Sequence, residues 1–123
     1  MAVRVTNPEE HSVLGERVEE AKTWWSRLRG LLGRSSLKPS EGLLIRPCRA
    51  VHMLGMRFPI DVAFVDHEGR VLAAYAGLAP SQLSRYHRQA AAALELPAGT
   101  LAATGTLVGH RLEFISLDAG QTP

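Results

Sequence analysis

The chain has a single cysteine, Cys48, in 123 residues. An internal disulfide is therefore impossible, and the fold needs no oxidising compartment. Long apolar runs are missing too. The uncharged stretches, such as residues 71–84, contain proline, glycine or polar residues and are too short to span a bilayer. The first residues, Met1 to Asn7, show no charged segment followed by an apolar one. A soluble cytoplasmic protein without a membrane partner is the expectation. Charge of one sign is also lacking: 14 Lys and Arg stand against 12 Asp and Glu, a net +2. That balance does not suit a protein that coats nucleic acid, and a basic stripe would have to be local to matter. The expected partner is instead an unidentified small ligand or a protein.

Several motifs are absent as well. There is no Gly-x-x-x-x-Gly-Lys phosphate loop, no Gly-x-Gly-x-x-Gly, no Gly-x-Ser-x-Gly elbow and no His-Glu-x-x-His. The five histidines are scattered, without His-x-x-x-His or paired-cysteine spacing. No cofactor is expected, and no catalytic residue declares itself.

What is present is enough for a core. Apolar residues make up 46% of the chain, and a chain of this length can bury them in one domain. That domain is expected over residues 1–117, with 118–123 a loose tail. Val3 and Val5, then Leu14 and Val18, alternate with polar neighbours around a turn at Asn7–Ser12, which predicts an opening hairpin. Thr23 to Gly33 carries Trp24, Trp25, Leu28, Leu31 and Leu32 at helical spacing, with Thr23 as cap and Gly33 as stop. Short apolar runs follow at 42–45 and 50–53. Phe58, Ile60, Val62 and Phe64 alternate toward a turn at Asp66–Gly69, and 71–75 returns. Residues 78–89 read as a surface loop, 91–96 as a strand or a helical turn, 97–105 as a short helix and 111–115 as the last strand. The expected class is α+β, mostly β: a small, partly open barrel of short antiparallel strands with one flanking helix.

Six blocks in order resemble domain-of-unknown-function family 192. They are Arg29-Gly30-Leu31-Leu32; Glu41-Gly42-Leu43-Leu44; Met56-Arg57-Phe58-Pro59-Ile60-Asp61-Val62-Ala63-Phe64; Gly69-Arg70-Val71; Leu94-Glu95-Leu96-Pro97-Ala98-Gly99-Thr100; and Val108-Gly109 with Arg111-Leu112-Glu113-Phe114. The resemblance covers about 22–114 and implies a fold with little chemistry. Two departures stand out. His52-Met53-Leu54-Gly55 occupies the place of a tryptophan–methionine–lysine–asparagine run, and His110 stands where the closing turn has an aspartate.

The candidate residues divide into three groups. Cys48, His52 and Met56 carry soft donors that suit Cu(I). On an extended strand, however, a four-residue step spans about 13 Å, too far for one ion unless Gly55 bends the chain. The plain alternative is core packing. Cys48 with His52 could also form a nucleophile–base pair, although no orienting acid is evident. Asp61 interrupts an apolar strand. A buried carboxylate needs partners, so Asp61 accepts backbone amides, pairs with an arginine such as Arg57, or faces a ligand. Arg85-Tyr86-His87-Arg88 sets cations and rings on one loop, where they could stack on a planar group or hold an anion.

The favoured expectation is a non-catalytic ligand-binding module. Its site would lie between the 51–61 segment and the 78–89 loop, with His52, Arg57, Asp61, Tyr86 and Arg88 as polar contacts. The alternatives are an enzyme using Asp61 or His52 as acid or base, and a weak nucleic-acid binder.

Overall fold

The computed structural model describes residues 2–21 and 36–117. The expected helix at Thr23–Gly33 and the tail at 118–123 lie outside the described residues. Seven strands form one sheet: β1 (Ala2–Asn7), β2 (Ser12–Ala21), β3 (Glu41–Ile45), β4 (Ile60–Val65), β5 (Val71–Leu78), β6 (Ala92–Pro97) and β7 (Glu113–Ser116). The order across the sheet is β5-β4-β6-β3-β2-β1-β7. A single short helix, α1 (Thr100–Thr104), joins β6 to β7 among the described residues.

The predicted hairpins form where turn chemistry flanks alternating apolar residues. β1 and β2 are antiparallel, joined by a 3₁₀ turn at Pro8–Glu10 that closes on His11 in the left-handed region at φ 51. β4 and β5 turn at 66–69. There Asp66 Oδ1 accepts the Glu68 and Arg70 amides, both at 2.9 Å, and Gly69 takes φ +84, a conformation that favours glycine. One strand pair departs from the antiparallel expectation. β2 and β3 are parallel, from Arg17↔Glu41 to Ala21↔Ile45. The connection is long enough to allow it: nineteen residues separate the two strands in sequence, and parallel pairing needs a dozen or more. The apolar run at 50–53 forms only an isolated bridge, His52↔Leu83.

The sheet curls without closing. Its edge strands meet at one point, the Arg70↔Arg111 bridge, flanked by Val71 N–H to His110 O at 2.9 Å and Leu112 N–H to Gly69 O at 2.8 Å. The architecture is thus a partly open, mostly β barrel.

Period-two alternation sends residues of the central strands to two separate cores. Ala63, Val65, Leu94, Leu96 and Leu44 point inward and pack with Val3, Val5, Leu14, Val18, Leu101 and Leu112. Ile60, Val62, Phe64, Ala93, Leu43 and Ile45 point outward and pack under Val51, Met53, Met56, Phe58 and Leu78. Burial on both faces explains why β4 reads as an almost unbroken apolar run rather than as an alternating one.

Candidate functional site

Asp61 lies on the inner face of β4, fully buried. Its Oδ1 accepts the Gly77 amide at 2.8 Å, and its Oδ2 accepts the Gly99 and Leu101 amides at 3.1 and 2.8 Å. Gly99 is the N-cap residue of α1 and has no capping side chain. Asp61 takes that role from another strand, satisfying amides that the first turn of a helix leaves without partners. It also ties β5 to α1. Arg57 makes no ion pair with it. Of the open alternatives, backbone acceptance is the one the geometry displays.

The other four candidates lie on the outer side. There, residues 49–53 run against 81–87. Met53 N–H donates to Gln82 O at 2.9 Å, Ser81 N–H to Met53 O at 3.1 Å, Ser84 N–H to Val51 O at 2.9 Å and His87 N–H to Arg49 O at 2.7 Å. Ser84 Oγ adds an acceptor for the Val51 amide at 2.9 Å. The two segments expected to flank a site are therefore paired directly into an irregular layer over the outer core. His52 sits at its centre, partly buried. Tyr86 is 65% exposed, and its hydroxyl accepts from Arg49 Nη1 at 3.4 Å. Arg57 and Arg88 are exposed just past the ends of these two segments. The structure thus places His52, Tyr86, Arg57 and Arg88 on one layer and sets Asp61 on the far side of the sheet.

The soft-donor trio falls on this layer too. Cys48 donates to Ala50 O at 3.2 Å and lines a groove of about 260 Å³ with His52. Gly55 bends the chain at φ +83, and the Met56 amide returns to Met53 O at 3.1 Å. Met56 is buried in the outer core. Among the described residues no three His, Cys, Asp or Glu side chains group as metal ligands.

Beneath the layer is an aromatic cluster of Phe64, Tyr75 and His87. The Phe64 and His87 rings are 4.6 Å apart, and Tyr75 stands edge-on to both at 5.9 and 5.7 Å. Tyr75 Oη accepts the Arg85 amide at 3.0 Å and lies 2.7 Å from His87 Nε2. Tyr75 Oη thus joins the Arg85 backbone and the His87 ring through one oxygen. His87 titrates below its ordinary value, first because burial disfavours its charged form and then because Arg85 lies nearby. His87 was visible only as a loop residue between arginines, and Tyr75 lies too far along the chain to suggest the pairing. Glu95, fully buried on the outward-facing side of β6, is the second carboxylate inside this sheet. Its signal was the same as that of Asp61: an acid within an apolar strand.

A larger cleft, about 1370 Å³, opens where the barrel fails to close. Leu44, Val65, Ala92, Leu112 and Phe114 contribute apolar surface to it, and Arg46, Arg70 and Arg111 line it with Glu20, Glu68 and Glu113. It takes no residue from 78–89. No described helix is long and apolar enough to cross a membrane.

Three comparisons bear on this arrangement. The model of domain-of-unknown-function family 192, described as an uncharacterized ACR, matches residues 3–114, so the match reaches back through the opening hairpin. A protein of unknown function from Novosphingobium aromaticivorans is similar in structure, with a TM-score of 0.73 and 25% identity over 92% of this chain and 84% of that chain. A putative transcription regulator from Sinorhizobium meliloti is similar at a TM-score of 0.75 and 26% identity, covering 92% of each chain. No curated protein matches.

Proposed function

The chain belongs to domain-of-unknown-function family 192, and from that premise we propose that it is a non-catalytic binding module for a single-stranded nucleic-acid segment, which it holds on the outer layer formed by 49–57 and 79–88. The supporting observation is where the charge falls. Residues 47–60 and 76–91 contain four arginines, Arg49, Arg57, Arg85 and Arg88, and no carboxylate. The other ten cations and all twelve acidic residues lie elsewhere in the sequence, a net of −2, and Glu95, the acid on the outward side of β6, is fully buried. The small net charge of the whole chain therefore hides a local positive patch. All four arginines are exposed, and none makes an ion pair.

An anionic backbone would supply the charged acceptors that these guanidinium groups lack. Tyr86, exposed and held at its hydroxyl by Arg49, offers a ring face for a base, and Leu83 beside it is 67% exposed. Cations interleaved with an aromatic are the usual elements of single-strand binding. The similar Sinorhizobium meliloti protein is described as a putative transcription regulator, which fits a nucleic-acid partner. Asp61 has no part in this reading.

The test is fluorescence anisotropy with a labelled oligo-uridine and an oligo-thymidine at low salt. Binding should weaken linearly with the logarithm of salt concentration. Arg49→Glu with Arg88→Glu should weaken it by about 100-fold, and Tyr86→Ala by about tenfold. Arg17→Glu, an exposed cation on β2, serves as the control and should change it little. Equal losses from all three variants, or no binding at low salt, would overturn the proposal.

A further inference from the structure

The barrel's opening leaves part of a strand edge without a partner, at a different surface from the outer layer. β7 pairs with β1 at Thr6↔Glu113, Val5↔Phe114, Arg4↔Ile115 and Val3↔Ser116. The Leu117 amide donates to Ala2 O at 3.0 Å. In an antiparallel ladder the hydrogen-bonded pairs alternate, so Glu113 and Ile115 bond β1, while Leu112 and Phe114 direct their amides and carbonyls to the other side. Among the described residues that other side is occupied at its start, where the Leu112 amide reaches Gly69 O at 2.8 Å, and Ser116 further along has a partner of its own, which leaves Phe114 between them. The β4–β5 hairpin then turns away at Gly69, and the Phe114 amide and carbonyl open into the 1370 Å³ cleft. A bare strand edge bordering a cavity is the geometry that takes up an additional strand.

We infer that this edge binds an extended peptide of a partner protein, which pairs with Phe114 as an eighth strand. The cleft also specifies the peptide's chemistry. Side chains of an added strand alternate in direction. One set would rest on the apolar floor at Leu44, Val65, Leu112 and Phe114. The charges on the rim select the rest. Each arginine already holds a protein acceptor: Arg46 pairs with Glu20 at 3.1 Å, Arg70 Nη1 donates to Gly109 O at 2.7 Å and Arg111 Nε to Glu68 O at 2.9 Å. The carboxylates of Glu68 and Glu113 are exposed and make no hydrogen bond or ion pair. With the rim's cations engaged and two of its anions free, the complementary peptide alternates apolar with basic residues.

The experiment uses the full isotope-labelled chain and a blocked octapeptide of alternating valine and lysine. A twin peptide is N-methylated at alternate amides on the face that would pair. Hydrogen exchange at the Phe114 amide should slow by about tenfold or more with the first peptide and stay unchanged with the twin. Glu68→Lys with Glu113→Lys, both exposed positions, should weaken the first peptide by about tenfold. Three results would overturn the inference: no protection at Phe114, protection that rises with protein concentration alone and so marks a second copy of the chain as the occupant, or binding unaffected by the double charge reversal.

Discussion

The two faces of β4 solve the same problem in opposite ways. Inward, strands from both ends of the chain enclose Ala63 and Val65, and the buried Asp61 meets three amides from β5 and α1. Regular elements satisfy one another there and little is left over. Outward, Ile60, Val62 and Phe64 are covered by segments that are not strands. Those segments hold together through irregular backbone hydrogen bonds around a single bridge, and they carry exposed arginines that make no ion pair. The difference shows where function can be added to such a fold. On the inner face Asp61 is committed to structure, while the outer layer exposes arginines that make no ion pair.

Asp61→Ala should break the inner face with the largest effect. It strands the buried Leu101 amide and the partly buried Gly77 and Gly99 amides, the first worth about 1 to 3 kcal/mol and the others less, so a loss of about 3 kcal/mol is expected in urea unfolding. Asp61→Asn, which keeps one acceptor oxygen, should cost about half as much. Gly69→Ala attacks the point where the sheet edges meet. A Cβ there would lie 2.5 Å from Leu112 O at φ +84, and a loss of about 2 kcal/mol should accompany faster hydrogen exchange at Leu112.

On the outer side the effects should be smaller. Ser84→Ala removes the hydroxyl that accepts the Val51 amide and should cost about 1 kcal/mol, with no change in the exchange of inner-face amides. His87 adds a pH dependence. Its folded pKa lies below the ordinary 6.5, so the unfolded chain takes up the proton first as pH falls. The contribution is complete above about 6.5 and is lost as pH drops through the folded value. The melting temperature should therefore decline on acidification below 6.5, and His87→Gln should flatten that slope. Arg57→Ala and Arg88→Ala should leave stability within about 0.5 kcal/mol of the parent. A larger loss from either arginine would mean that the layer spends its cations on its own structure, as the inner face spends Asp61.

Much of the strand framework was legible because it rests on local chemistry. Asn7 to Ser12 and Asp66 to Gly69 announce turns, and alternation around them announces hairpins. Gly105, at φ 69, closes α1 where the reading expected a stop. The β2–β3 parallel pair was not legible, because it depends on the path of a long connection. The 50–53 run reads as a strand from its residues, yet it forms a single bridge because its neighbour is the 79–87 loop rather than another regular strand.

Sequence alone determined that this is a small β-rich domain of a recognisable family, with an acid inside a greasy strand and a cluster of arginines on a loop. Periodicity and turn propensity are properties of neighbours along the chain, and they survive without knowledge of the fold. Only the tertiary structure decided that Asp61 caps a distant helix, that Tyr75 meets His87, and that two acid-free segments far apart in sequence form one cationic layer. Each of these depends on groups brought together across the sheet, and hydrogen bonds and charge patches exist only at such distances.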